Sequence, residues 1–428
     1  MLSKRLLRMT EWRLYFIELT CFTPIAWDWK THSMKPSRKF AYWNWLLQLF
    51  YMFSYMTILI VKLFIKYRGN PDGDIPDEVV TKKDEAYDAM LTAIDVGFIS
   101  SLAIILGLSI NLIRARQDLI CLFNKLVELD STLTEKYESE LQGNPTVKEY
   151  CMRASMRVEL TMAAINFITV IVVPGMFVFG FLQDYEPVHR FFAEVFEIHI
   201  TLKPSHIPFL LGMMLYVGNC ANTCFFYALA CNWNIHVICF WLMNTTPQTS
   251  QITYTKQGYD SAPLFSTRLG LMEGSVIMTI YKRLQFLDRL ADNLLTSFMI
   301  TIHHGGEMIA FVACSYICIT YSGDLIHTPG LIVLIFVPII VTFEELIETV
   351  ELCRIHDTSR ATVVTLKDSF RRSYASRKYR KSKELWKKAQ AAPVLWMETA
   401  YPFYRYHKGT FIEFFHQTID LLVSVLVG

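Results

Sequence analysis

The chain has 428 residues, of which 53% are hydrophobic, 14% aromatic and only 19% charged. This composition is too apolar for an ordinary soluble protein of this length and indicates a membrane protein. The net charge of +2 excludes bulk electrostatic attraction as a basis for binding nucleic acid, so we predict no nucleic-acid partner.

Hydrophobic runs long enough to cross a bilayer core occur seven times. They cover residues 41–66, 90–113, 158–183, 207–241, 294–322, 330–352 and 409–428. The fourth and fifth runs continue with helical spacing into polar sequence, which predicts helices that extend beyond the bilayer. We therefore predict an all-α membrane protein with four parts: segment 1–40 with a short pre-helix, a six-span bundle 41–352, a loop and anchor helix 353–408, and a seventh helix 409–428.

Lysine and arginine are concentrated in alternate loops. The segment before the first span and the second, fourth and sixth loops hold 34 of the 41 basic residues, whereas the other loops hold four. Basic loops stay on the cytoplasmic side, so we predict a cytoplasmic N-terminus and an extracellular C-terminus. This orientation is the reverse of that of G-protein-coupled receptors. The basic sixth loop suits contact with anionic membrane lipids.

Five segments carry a resemblance to a known receptor family. They are FIELTCFTPIAWD, residues 90–133, HIPFLLGMMLYVGNCANTCFFYALACNWN, YKRLQFLDRLADNLLTSFMITI and PVLWMETAYPFYRYHKGTFIEFFHQTIDLL. They are similar, in that order, to the pre-helix, the second span, the fourth span, the lead into the fifth span and the anchor and pore segment of insect-type gustatory and odorant receptors. The Thr-Tyr…Gln-Phe signature of that family is replaced here by Asp420, Leu421, Val427 and Gly428.

The resemblance is to a divergent gustatory-receptor-like member and carries expectations about function. It implies a ligand-gated cation channel of the plasma membrane, built as a tetramer of seven-helix subunits around a central pore. The tetramer is formed by the chain itself or with related subunits. An acidic outer loop, with seven Asp or Glu residues between 72 and 88, is either a solvated loop or a vestibule that attracts cations.

The last span carries polar groups that are costly against lipid. On a helical wheel these polar groups form one stripe of Glu413, Gln417, Asp420 and Ser424. The apolar Val427 lies at the edge of the stripe, and we count it as a member. Around a symmetry axis the stripe becomes a water-filled wall, and its acidic rings favour cations. Within one bundle it instead makes interhelical hydrogen bonds. We predict that the stripe lines a pore, and we interpret His416 as a packing residue.

A second polar set lies in the predicted outer half of spans two to six. These candidates for a ligand pocket are Asp95, Phe98, Met213, Tyr216, Asn219, His304, Glu307, Tyr316 and Phe336. Ionisable groups inside a membrane are functional candidates by default, and a cleft among them suits a small ligand. The polar lining favours a polar tastant over an apolar volatile. For each residue the alternative is a structural contact, such as a pair between His303 and Glu307.

The stretch HHGGEM, residues 303–308, is where enzyme or metal chemistry has to be considered. The chain has no G-x-S-x-G nucleophile elbow, and the stretch lacks the second histidine of a zinc-binding H-E-x-x-H helix. We therefore predict no enzyme activity, no cofactor and no metal, and we interpret Gly305 and Gly306 as allowing close helix approach or a local bend. Four acidic residues near the inner end of span six are expected to pair with basic loops: Glu344, Glu345, Glu348 and Glu351.

The alternative function is that of a secondary transporter, in which the intramembrane carboxylates relay protons. The missing family signature in the last span favours it. The odd number of predicted spans and the absence of a recognisable inverted repeat in the sequence count against it.

Overall fold

The structure, a computed structural model, describes residues 24–68, 82–142, 207–245, 274–295, 299–375, 380–395, 398–399, 404–405 and 409–427, with isolated residues outside these ranges. The described residues form nine helices. They are α1 (Lys39–Arg68), α2 (Lys82–Arg114), α3 (Arg116–Gln142), α4 (Ile207–Asn244), α5 (Gly274–Leu295), α6 (Met299–Leu325), α7 (Gly330–Ala375), α8 (Arg380–Gln390) and α9 (Thr410–Val427). Two short hairpins, β1–β2 (Ile25–Asp28 and Ser33–Pro36) and β3–β4 (Glu398–Thr399 and Tyr404–Arg405), accompany the helices.

Five of the described helices contain a stretch long and apolar enough to cross a membrane. These stretches are Lys39–Lys66, Asp84–Arg114, Ile302–Leu325, Gly330–Asp368 and Thr410–Val427. They correspond to predicted spans one, two, five, six and seven. The fourth predicted run forms nearly all of α4, whereas the third, residues 158–183, lies almost wholly outside the described residues. Large apolar side chains such as Phe40, Trp43 and Phe64 remain exposed on α1, as lipid contact requires.

The segment before the first span differs from the prediction, because residues 25–36 form a hairpin and not a helix. Ile25 pairs with Pro36, and the connecting turn is held by the backbone N–H of Lys30, which donates to Asp28 Oδ1 at 3.0 Å. The hairpin is attached to α3 through Asn124, whose amide oxygen accepts from the backbone N–H of Met34 at 2.8 Å. The predicted pre-helix therefore does not continue beyond Pro24, and residues 16–23 lie outside the described residues.

The sixth span is one part of a much longer helix. Helix α7 has 46 residues, which at 1.5 Å per residue gives a length of about 69 Å, roughly twice the thickness of a bilayer core. The apolar run of the sixth span ends at residue 352, and the helix itself continues to Ala375. Helix α4, with 38 residues, also extends well past the bilayer, as predicted.

The extended parts of α4 and α7 pack with α3 and α5 into a second bundle, which we call the anchor. Its core contains fully buried aromatic rings, among them Phe123, Trp233 and Trp241. Trp241 Nε1 donates to the buried Asp130 at 3.0 Å, which joins α4 to α3. The anchor therefore combines a large apolar core with a buried hydrogen bond between two of its helices.

A second polar contact ties the chain after α8 to the anchor. The Ser359 hydroxyl accepts from the backbone N–H of Leu395 at 2.7 Å and lies 3.2 Å from the Tyr281 hydroxyl. Burial raises the pKa of Tyr281 to about 12, so its hydroxyl stays protonated and can donate. The start of the segment that leads to α9 is thus fixed to α5 and α7.

A buried histidine makes the stability of the anchor depend on pH. His236 lies 29 residues after the start of α4, about 44 Å along the helix and beyond a bilayer core of about 30 Å. Burial lowers its pKa from 6.5 to about 4, so the unfolded chain binds a proton more readily than the folded chain between these values. We expect detergent-solubilised protein to lose about 3 kcal/mol of stability through this residue as the pH falls from 6.5 to 4.

The measurement is the thermal midpoint, by tryptophan fluorescence, of the wild type and of His236→Asn across that pH range. Because other groups titrate as well, the prediction concerns the difference between the two curves. The variant should lose less stability with acidification. Parallel curves would show that protonation of His236 is not linked to folding.

Candidate functional site

Helix α9 uses one face to pack against its own chain. Thr410, Phe414 and Thr418 are buried, and the helix contacts α6 and α7. The ring of Phe414 lies 5.7 Å from that of His304, and the ring of Phe415 lies 5.8 Å from that of Phe311, both on α6. The three buried residues recur every fourth position, which gives a narrow contact line along the helix.

The polar stripe of α9 is exposed in the single chain. Its members are Glu413, Gln417, Asp420, Ser424 and Val427, and the last of these has 82% of its surface accessible. The Ser424 hydroxyl donates at 2.8 Å to the carbonyl of Asp420 within the same helix. The stripe therefore lies on a side of α9 that water or a neighbouring subunit can reach.

Two details of α9 differ from the sequence interpretation. His416 is exposed and its Nδ1 lies 3.0 Å from Asp420 Oδ2, so its interpretation as a packing residue is wrong. Thr418 was not predicted to play a part but is buried. Its hydroxyl tolerates burial because it donates to the carbonyl of Phe414 at 2.8 Å. A threonine hydroxyl that donates to the carbonyl four positions earlier needs no further polar partner. Such a threonine can face an apolar surface, and the pattern of polar residues in the sequence does not show this.

Asp95, the first pocket candidate, lies in a buried ion cluster. Its carboxylate contacts the guanidinium of Arg190, and its other oxygen lies 3.2 Å from Lys62 Nζ on α1. The side chains of these three residues are each less than 10% exposed. One carboxylate thus neutralises part of two buried positive charges, and it joins α1, α2 and Arg190.

The remaining pocket candidates have different surroundings in the single chain. His304 and Glu307 contact acidic residues of α7, whereas Phe98 and Tyr316 pack, partly buried, against the apolar cluster between α2 and α6. Phe336 is exposed on α7. The side chains of three candidates on α4 lie outside the described residues: Met213, Tyr216 and Asn219. A single outer pocket formed by all nine residues stays a prediction.

His303, His304 and Glu307 on α6 and Glu344 and Glu345 on α7 form one group, which we call the His–Glu cluster. Glu307 Oε1 lies 3.3 Å from His303 Nε2, and Glu307 Oε2 lies 4.0 Å from His304 Nδ1. His304 Nδ1 also contacts Glu345, which is fully buried. The expectation that Glu345 pairs with a basic loop is therefore wrong, whereas Glu351 does pair with Arg354, as expected.

Gly306 allows α6 to approach α2 closely. A Cβ atom at this position would lie 2.7 Å from Cγ1 and Cδ1 of Ile104 and 3.3 Å from the carbonyl oxygen of Ser100. The neighbouring Gly305 would meet no atom within 4 Å. The prediction of close helix approach is thus confirmed for Gly306 but does not apply to Gly305.

This pair of glycines gives a matched test. We expect Gly306→Ala to destabilise the protein by about 1–3 kcal/mol, because Ile104 must move or the two helices must separate. Gly305→Ala should leave stability nearly unchanged. Thermal midpoints from fluorescence-detected size-exclusion chromatography would compare the two variants, and equal shifts would contradict the close packing described here.

The described helices define a multi-pass, all-α membrane protein with an exposed polar stripe on its last helix. Its fold is that of an insect olfactory receptor. It is similar to olfactory receptor OR5 from Machilis hrabei with a TM-score of 0.59 at 12% identity, and to the same receptor in complex with eugenol with a TM-score of 0.61 at 13% identity. Each comparison covers 98% of both chains. No protein-family model and no curated protein sequence matches the chain.

Proposed function

We propose that the chain is a chemosensory receptor of the insect-type gustatory and odorant receptor superfamily and acts as a ligand-gated, non-selective cation channel of the plasma membrane. Four subunits, identical or related, surround a pore lined by α9. The N-terminus is cytoplasmic and the C-terminus extracellular. In this arrangement the anchor lies in the cytoplasm, where the basic helix α8 can meet anionic lipid headgroups.

The exposed stripe of α9 is the observation that carries this proposal. Two carboxylates, an amide and a hydroxyl on a membrane helix are costly against lipid, and α9 buries a different face against its own chain. Placing four copies around an axis turns the stripe towards water. Rings of Glu413 and Asp420 then favour cations, and Val427 forms an apolar collar near the outer end.

The ligand site is proposed for the outer half of spans two to six. A receptor with the same fold has been solved with eugenol, a small molecule, which supports a small-molecule ligand here. Tyr316 and Asn219, two of the candidates for the pocket lining, suit a ligand with hydroxyl or amine groups. We therefore propose that the receptor detects tastants and not odorants. The ligand opens the pore by binding the open arrangement more tightly than the closed one.

Two measurements test the proposal. The first is the mass of the detergent-solubilised particle by light scattering, which should correspond to four chains of 49.7 kDa each. The second is patch-clamp recording from cells that express the chain, alone and with related subunits, during application of sugars, amines and volatiles. A ligand-evoked cation current from a fourfold particle supports the proposal. A monomer or dimer without current would favour the transporter.

A further inference from the structure

We propose that the His–Glu cluster is a binding site for one divalent transition-metal ion of the zinc type, held by His304, Glu307 and Glu345. The ligand atoms of these three residues lie within 4.8 Å of one another, and two of the residues are buried. Glu344 and His303 lie at the same place and offer an outer pair of donors. The site goes beyond the proposed channel function and does not depend on it.

Two carboxyl groups are buried here with no lysine or arginine among their contacts in the described residues. Glu307 is 5% exposed and Glu345 is fully buried, and their contacts among the described residues are with each other and with histidines, which are neutral unless protonated. Both Glu307 oxygens and Glu345 Oε2 are buried without a hydrogen-bond partner in the described structure. Two buried carboxylates at one place repel each other strongly, and a divalent ion would offset both charges.

The three residues offer one imidazole nitrogen and two carboxylate oxygens as donors. Imidazole nitrogen combined with carboxylate oxygen suits zinc and its neighbours, whereas calcium and magnesium prefer oxygen donors alone. Around a tetrahedral ion with bonds of about 2.0–2.2 Å, donor atoms lie roughly 3–4 Å apart. The donor atoms observed here lie within 4.8 Å of one another, close to this spacing, and three protein ligands leave one position for water.

The cluster reaches the surface of the single chain on one side. Glu344, at the edge of the cluster, has a side chain that is 53% exposed, whereas the Glu345 side chain is completely buried. His303 lies between Glu344 and Glu307, at 3.9 Å and 3.3 Å. The cluster therefore extends from an exposed carboxylate, Glu344, to the buried Glu307. His304 also contacts Phe414, so a bound ion would stiffen the surface of α6 against which α9 packs.

The test uses the purified full chain in detergent after chelation and gel filtration, with Co²⁺ and Zn²⁺ as probes. We expect one Co²⁺ per chain, a visible absorption band of low-coordinate cobalt, and loss of that band when Zn²⁺ is added. Glu307→Gln and His304→Gln should each weaken Co²⁺ binding at least about tenfold. Glu351→Gln is the matched control, because Glu351 lies on α7 like Glu344 and Glu345 of the cluster but pairs with Arg354.

The outcomes separate three occupants of the cluster. A stoichiometric cobalt band that both variants weaken and the control keeps supports the metal site. Weak, non-stoichiometric binding without a band means an adventitious ion only and overturns it. Absence of binding means that a shared proton stabilises the carboxylates, which also overturns it. The wild-type stoichiometry and spectrum decide the question even if a variant fails to fold, and neither requires a channel current.

Discussion

Replacing Gln417 by arginine is expected to abolish the ligand-evoked cation current. Gln417 lies at the centre of the exposed stripe of α9, between Glu413 and Asp420. In a fourfold pore the substitution adds four positive charges at one level. At an effective dielectric constant of about 20, each charge roughly 8 Å from a monovalent cation raises its energy by about 2 kcal/mol. The inward current should therefore fall by more than about tenfold.

Asp420→Asn should act more mildly, by shifting the reversal potential towards that of an anion and not by blocking the current. The matched control is Ile419→Asn, since Ile419 lies next to Asp420 in sequence but on the opposite side of α9 from Gln417. This control should keep the wild-type reversal potential. If Gln417→Arg and Asp420→Asn both carry the wild-type current with unchanged selectivity, the stripe does not line the pore.

The membrane-spanning part of the fold could be predicted from sequence because lipid imposes a simple rule. A helix needs about 20 apolar residues to cross a bilayer, and the runs at 41–66 and 330–352 coincide with helical, apolar stretches of α1 and α7. Outside the bilayer the rule no longer applies. The hairpin at Ile25–Pro36 and the continuation of α7 to Ala375 depend on tertiary packing in the anchor, so hydropathy could not predict them.

The candidate site was only partly predictable, for a related reason. The stripe of α9 could be predicted, because all its members lie on one helix and follow one period. The His–Glu cluster could not, because Glu344 and Glu345 lie some 40 residues after His303 and His304 and meet them only through the antiparallel packing of α6 and α7. Motif searches require ligands at fixed spacing along one chain segment and miss such a group.

Removing the carboxylate of Asp95 is expected to destabilise the protein by about 3–5 kcal/mol. In the Asp95→Asn variant the asparagine has nearly the shape of aspartate but no negative charge. Lys62 and Arg190 then remain as two buried cations with no carboxylate between them. Removing the carboxylate partner of a buried cation costs far more than the pair contributed. We expect a large loss of surface expression and a lower thermal midpoint in detergent, measured by fluorescence-detected size-exclusion chromatography.

A nearby ion pair provides the matched control for this variant. Asp88 lies two helical turns before Asp95 on α2 and pairs with Lys66 of α1 at 2.6 Å, but the side chain of Asp88 is 62% exposed. Asp88→Asn should therefore change stability by less than about 1 kcal/mol. Adding Lys62→Met to Asp95→Asn should restore part of the lost stability, because it removes one of the two cations. Equal effects of Asp95→Asn and Asp88→Asn would mean that water reaches Asp95 as freely as it reaches Asp88.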